Sequence, residues 1–356
     1  MKITALEIEH YATESAAFRW RDGLIGSPGG KGRETLLRVK TDAGIDGLVW
    51  VSHPGITEDL VRRCFAPMFV GADPLMREKL WYEVWERDRL EEFPMYALGY
   101  LDVALWDIAA KAAGVPAYQA LGGHKDRARA YASTVTMETL DDYLRLADRC
   151  LAKGYKAIKL HVWGRVQEDI HLVRKLRQHV GPGIELMLDG SAGYTLEESI
   201  RLGRAMEEAD YLWLEEPMRE FNLLAYEKLC QTLDIAILAA ECTDGCHFNA
   251  GEWALRGACD RLRTSWFYKG GLTGALKTAH LAEAFQLQAD VHGSGWGSVH
   301  LVCALPNSTY YESLVPEECV PDATLAGRVL PDADGWVYPP STPGIGWEPD
   351  PARRLG

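Results

Sequence analysis

IELMLD (184–189), YLWLE (211–215) and AILAAE (236–241) are three short apolar runs that each finish in a carboxylate. Asp189, Glu215 and Glu241 follow one another at intervals of 26 residues. A repeat of about 26 residues is one strand, one helix and two loops, the unit of a (β/α) barrel. The rhythm continues outward in both directions. Further apolar runs occupy 130–135, 157–162, 261–267, 288–291 and 309–311. Thr134, Lys159, Ser265, His292 and Glu312 mark their ends, and successive marks along all eight runs lie 20 to 30 residues apart. The runs are continuous rather than alternating, as parallel strands covered on both faces should be. The pattern predicts an α/β fold with a barrel of TIM type.

Ahead of the barrel the texture differs. Residues 3–10 alternate loosely, TLLRVK (35–40) alternates well, and DAGIDG (42–47) is a turn cluster before 48–51. From 58 to 120 the pattern is helical, until Leu121-Gly122-Gly123 breaks it. These features predict an α+β domain over 1–123 and the barrel over 124–320. The Pro- and Gly-rich segment 321–356 is expected to pack back on the first domain.

The chain has 356 residues, 25% of them charged, and a net charge of −13. That balance argues against nucleic acid or an anionic membrane as a partner. The 12 Trp, 15 Tyr and 8 Phe exclude wholesale disorder. No stretch approaches the roughly 18 uncharged apolar residues of a membrane span. MKITALEIEHY carries charges where a signal peptide needs its apolar centre. Eight scattered cysteines fit a reducing cytoplasm. Cys242, Cys246 and His247 lack the CxxC spacing and the second pair of a zinc site.

In such barrels the C-terminal strand ends build the active site. Acidic residues often begin loops, but three at one phase behind apolar runs converge on one mouth. They would repel one another without a cation, and a hard divalent ion such as Mg²⁺ resolves that conflict. Lys159 and His161 share one strand face two residues apart. A lysine near a metal or another cation has a lowered pKa and can act as a base. His292 opens the loop Gly293-Ser294-Gly295-Trp296-Gly297, and Glu312 ends the next strand. The nicotinamide reading of those glycines fails, because G-x-G-x-x-G needs Gly where Ser298 stands.

Taken together the motifs resemble the enolase superfamily, in its mandelate racemase and muconate lactonizing enzyme branch. Residues 100–108 (YLDVALWDI) are similar to the IDxALWDI helix, and Leu121-Gly122-Gly123 to the LLGG boundary. Leu214-Glu215-Glu216-Pro217 is similar to the EEP motif, and Gly270-Gly271 to the GG pair after the sixth strand. The resemblance implies an α+β capping domain on a modified (β/α)₇β barrel. It implies a Mg²⁺ ion on Asp189, Glu215 and Glu241, and proton abstraction α to a carboxylate to give an enediolate. His292 matches the branch's histidine acid/base.

Several positions depart from the family pattern. Lys-x-Lys becomes Lys159-Leu160-His161, and the Asp that orients the histidine becomes Ser265. Asp-x-Asn becomes Asp189-Gly190-Ser191, and a lysine base position holds Tyr268, with Lys269 on the other face. The expected division of labour gives charge stabilisation to Lys159 and the base to His161. His292 then serves as a less basic, loosely oriented acid, and Glu312 as a protonated hydrogen-bond donor. Trp20, Arg21, Ser191 and Trp296 are expected to bind a small, hydroxylated carboxylate. The leading expectation is dehydration of an acid sugar. The alternatives are a racemase or epimerase, a cycloisomerase, and a metal-binding barrel that has lost turnover. A homo-oligomer is expected.

Overall fold

Alternating residues near the N-terminus build a long hairpin. A computed structural model of the chain describes residues 1–315 and 329–355. In it β1 (Ile3–Arg21) pairs antiparallel with β2 (Leu24–Thr41), and β3 (Gly47–Val51) completes a three-stranded sheet. The two long strands run well past the stretches at 3–10 and 35–40 that alternate clearly. Backbone pairing continues from Tyr11↔Glu34 to Arg21↔Leu24 over residues that are mostly exposed or only half-buried. Hydrophobic patterning is silent there, because the outer half of the hairpin has no core of its own to cover. Its tip instead reaches the barrel, where Asp22 N donates to Trp163 O at 3.1 Å and Thr136 N to Arg19 O at 2.9 Å.

Helices Arg77–Glu91 and Tyr96–Ala113 follow. The second carries the LDVALWDI motif and is buried along most of its length. Asp102 accepts from Thr273 N at 2.8 Å and from Thr273 Oγ1 at 2.6 Å, which ties this helix to the start of helix Gly271–Ala284. Gly271 has φ +87°, and a Cβ there would lie 2.3 Å from Asp102, so the second glycine of the pair is a packing requirement. Asp107 accepts from Leu48 N at 3.0 Å and Ile345 N at 2.8 Å, and pairs with Lys111. The motif acids are therefore joints between segments.

Eight parallel strands among the described residues form the curled second sheet: β4 (Ala128–Ser133), β5 (Ala157–His161), β6 (Glu185–Asp189), β7 (Trp213–Glu215), β8 (Ala236–Ala239), β9 (Arg261–Thr264), β10 (Gln288–Val291) and β11 (Tyr310–Leu314). Their order is β10-β9-β8-β7-β6-β5-β4-β11. The β10–β11 seam is stitched by Ser294, whose Oγ donates to Glu312 O at 3.0 Å and accepts from Leu314 N at 2.7 Å. Together with the capping sheet and helices this is the expected α/β barrel of TIM type. The register sets His161 opposite Asp189 and Asp189 opposite Glu215, so three strands end level.

The boundary expected at 320–321 falls outside the described residues. From residue 329 onward the tail touches both units. Trp336–Val337 (β12) pairs antiparallel with β4, and the Trp347 ring packs at a tilt against Trp50 of β3, with centroids 4.9 Å apart. Seven cysteines among the described residues are free thiols. No helix among the described residues is long and apolar enough to cross a membrane.

His300 links the tail to the helices. Its Nδ1 accepts from Tyr118 N at 3.1 Å, which leaves Nε2 to donate to Ile345 O at 3.0 Å. Burial depresses its pKa from the ordinary 6.5 to about 4. The unfolded chain therefore takes up this proton first on acidification. The stability it contributes is whole above about pH 6.5 and is lost as pH falls toward 4, up to roughly 3 kcal/mol. Circular-dichroism melts should show that loss in the wild type, and His300→Gln should flatten it. Parallel pH curves for the two proteins would refute the assignment.

Candidate active site

A cavity of about 270 Å³ opens at the C-terminal ends of the barrel strands, the size of a small-molecule site. Its wall includes His161, Asp189, Glu216, Glu241, Tyr268 and His292. The hairpin tip supplies Trp20 and Arg21 from above. The Trp20 ring lies 4.6 Å from the His161 ring, and Arg21 Nε donates to Ser191 O at 2.9 Å. Ser191 itself is in the wall. Trp20, Arg21 and Ser191 thus meet the cavity as expected, although the first two stand on a strand rather than a loop.

Beneath the cavity lies a dry layer of paired charges. Lys159 Nζ is 3.2 Å from Asp189 Oδ2, 2.9 Å from Glu215 Oε2 and 2.9 Å from Glu312 Oε1. Burial opposes its charge, but Glu215, Glu312 and Asp189 outweigh that and hold the ammonium well above the ordinary lysine range. Lys159 is therefore a fixed cation below the floor, not a titrating lysine in the mouth. The reason is the strand direction: Lys159 sits one full pleat deeper than His161, paired with Met187 where His161 is paired with Asp189.

Arg263 was not singled out from the sequence, yet it is fully buried at the centre of this layer. Its Nε lies 2.8 Å from Glu215 Oε1 and 3.3 Å from Glu241 Oε2, and its Nη2 lies 2.8 Å from Glu312 Oε2 and 3.0 Å from Tyr131 OH. The Glu215 contact lacks hydrogen-bond alignment, which leaves Oε1 of that buried carboxylate without a hydrogen-bond partner. The available signal was phase. Arg263 stands two residues before Ser265, on the same face of a strand pointing into a barrel.

The upper residues are held by local turns. Asp189 Oδ1 accepts from Ser191 N at 2.8 Å, and Oδ2 faces His161 Nε2 at 3.2 Å. His161 Nδ1 faces the Thr134 carbonyl, so that nitrogen carries a proton. Ala240 takes a left-handed φ of +71° to bring Glu241 over the barrel. Buried Glu220 fixes this turn by accepting from Glu241 N at 3.2 Å and Cys242 N at 2.8 Å, and also from Ala240 N. Glu220 too escaped the sequence reading, because its distance from the strand end hides its role.

The fold changes the expectations for Glu312, His292 and Trp296, and it places Glu216 and Ser265. Glu216 reaches the cavity although it directly follows Glu215 in the chain. Its φ of +40° ends the strand alternation, and its carboxyl lies in the wall within 4.8 Å of ligand atoms on Glu241 and Cys242. Burial and four neighbouring carboxylates push its pKa well up. Glu312 is not a protonated donor. Burial favours protonation, but Lys159, Arg263, His292 and Gly293 N hold the carboxyl well below its ordinary value. Ser265 does not stand in for the orienting acid; its hydroxyl accepts from Phe267 N and Tyr268 N in the turn after β9. The acid beside His292 is Glu241 instead, with Nδ1 3.0 Å from Oε2 in an ion-pair contact that lacks hydrogen-bond alignment. Burial lowers its basicity, Glu241 and Glu312 more than reverse that, and the pKa is raised. Trp296 opens helix Trp296–Ala304 and packs on the core outside the cavity wall. Lys269 turns to Thr243, with Nζ 3.0 Å from its carbonyl, and Tyr268 lines the cavity.

Asp189, Glu215 and Glu241 suit a hard divalent ion. All three are carboxylates, the unpaired Glu215 Oε1 is buried, and Lys159 and Arg263 alone leave this acidic layer short of positive charge. Residues 142–353 match the enolase C-terminal domain-like family, and residues 29–122 match the mandelate racemase / muconate lactonizing enzyme N-terminal domain. A 3,6-anhydro-alpha-L-galactonate cycloisomerase from Streptomyces coelicolor is 29% identical over 289 residues, 78% of this chain and 79% of that protein. An arabinonate dehydratase from Saccharolobus solfataricus is 26% identical over 81% of this chain and 79% of its own length. The crystal structure of a D-glucarate dehydratase from Agrobacterium tumefaciens complexed with magnesium superposes with a TM-score of 0.92 at 32% identity, covering 100% of both chains. The chain belongs to the enolase superfamily, in its mandelate racemase / muconate lactonizing enzyme branch, and is an enzyme of the lyase or isomerase type.

Proposed function

We propose that this protein dehydrates a small acid sugar by removing the proton α to its carboxylate, in a reducing cytoplasm. The observation that carries this reading is the asymmetry of the two histidines across one cavity. His161 is tied through Nδ1 to a carbonyl, so its Nε2 is the atom that exchanges a proton. His292 is paired with Glu241 and favours the charged form, which suits a proton donor. A base on one side and an acid on the other are what β-elimination needs. The base takes the α-proton, the acid protonates the departing β-hydroxyl, and the resulting enol becomes an α-keto acid.

Asp189, Glu215 and Glu241 would hold a Mg²⁺ ion, which supplies positive charge where the substrate carboxylate gains negative charge. Lys159 and Arg263 hold the same carboxylates in place through close charged contacts. Arg21 and Arg219 in the cavity wall offer cationic groups to an acid, against the background of a net-negative chain. Trp20 covers His161 and limits water access. The dehydratases among the relatives support this reading, and the cycloisomerase among them makes isomerisation its alternative.

The test is a panel of aldonic and aldaric acids incubated with protein and Mg²⁺, scored for α-keto acid. At least one acid should be dehydrated with kcat near the ordinary enzyme range of about 1–10³ s⁻¹. An isomer or lactone product without α-keto acid would move the protein to the isomerase reading. No product, and no exchange of the α-proton in D₂O with any acid, would refute enediolate chemistry.

A further inference from the structure

Arg263 occupies an unusual place. It is a permanent cation, it has no exposed surface, and its Nε approaches two of the three carboxylates that suit the ion. Those contacts, 2.8 Å to Glu215 and 3.3 Å to Glu241, are close enough for each oxygen to be shared between guanidinium and metal or contested by them. The geometry at Glu215 is unsettled, since the short contact is not a hydrogen bond. By contrast, the same side chain is firmly seated elsewhere. Nη2 bonds Glu312 Oε2 at 2.8 Å and Tyr131 OH at 3.0 Å, and Nη1 donates to Val291 O at 3.2 Å.

We infer that Arg263 is a resident cation that competes with the divalent ion for Glu215 and Glu241, and so sets how tightly the metal is held. The inference rests on the metal-dependent reading above. Its physical basis is charge. Two cations close to one carboxylate repel each other, and in a dry interior that repulsion is only weakly screened. The fork is anchored on Glu312 and Tyr131, so Arg263 cannot leave the layer when an ion arrives. It can only yield its Nε contacts. In the absence of metal it keeps Glu215 and Glu241 compensated, and the site stays assembled.

Mn²⁺ is the probe, with free ion measured by electron paramagnetic resonance and no substrate present. Arg263→Gln removes the charge while its amide can still reach a carboxylate, and it should bind Mn²⁺ at least 10-fold tighter than the wild type. In EDTA the same variant should melt lower than the wild type, and Mn²⁺ should raise its melting temperature by more. Should Arg263→Gln fail to fold without metal, Arg263→Lys provides the second measurement. A lysine keeps the charge but cannot bridge several carboxylates as a planar fork does, so a smaller tightening, above 3-fold, is expected. Wild-type binding that is unchanged or weakened in both variants overturns the inference while leaving the metal-dependent reading intact. If neither wild type nor variants bind Mn²⁺ at millimolar concentration, the reading itself fails, and the inference with it.

Discussion

Dialysis against EDTA is expected to lower turnover at least 1,000-fold, and added Mg²⁺ to restore it. Glu215 and Glu312 are nearly devoid of solvent contact, and Asp189 and Glu241 are buried beside them. Among the described residues, Lys159 and Arg263 are the permanent cations that pair with these four carboxylates. A substrate carboxylate would add a further negative charge, and proton abstraction another. Removing the ion takes away charge that the transition state uses more than the ground state does, so the loss should fall on kcat as well as KM. Stability offers a second readout. An ion that binds the folded chain alone adds about 2.7 kcal/mol at 100 times its Kd. Calorimetric scans should therefore show a melting temperature that climbs with Mg²⁺ by a few degrees. Full turnover after exhaustive chelation would exclude the metal-assisted mechanism.

The two histidines should separate cleanly. His161→Asn is expected to lower kcat by about 10²–10⁴ and to abolish exchange of the α-proton with D₂O. Asn can retain the bond to the Thr134 carbonyl, so the fold and substrate binding should survive. His292→Asn should lower product formation on a similar scale while α-proton exchange persists, because the proton still leaves but the β-hydroxyl is no longer protonated. The raised pKa of His292 gives this step a direction with pH. Its charged form is the working form, so activity should fall as pH climbs through its elevated pKa. The complementary outcome, exchange lost in His292→Asn and kept in His161→Asn, would reverse the roles of acid and base.

Much of the barrel was legible because its signals are local and repeated. The carboxylates at 189, 215 and 241 keep step with the strands, and each strand end predicted at the C-terminal face lies there or within a few residues. A parallel strand covered on both faces must be apolar throughout, so one charged residue at its end stands out. The hairpin was legible only where it covers a core. Its outer half, which carries Trp20 and Arg21, is paired by backbone hydrogen bonds that place no demand on side-chain pattern. The reach of that hairpin to the barrel mouth is a matter of how two units dock.

The sequence by itself determined the chain's family, the barrel and the roster of chemical groups at one mouth. Only the tertiary structure decided which of those groups are wet and which are sealed beneath. Lys159 and His161 share one strand face, yet a single pleat of depth makes one a buried counter-ion and the other part of the cavity wall. Glu215 and Glu216 are neighbours, yet one left-handed φ turns Glu216 to the cavity while Glu215 stays with Lys159 and Arg263. Glu241 replaces the missing acid beside His292 because a turn held by Glu220 lifts it there. Spacing along a chain records direction from the barrel axis. It does not record height along that axis or partners on distant strands, and those set the local charge balance on which the chemistry depends.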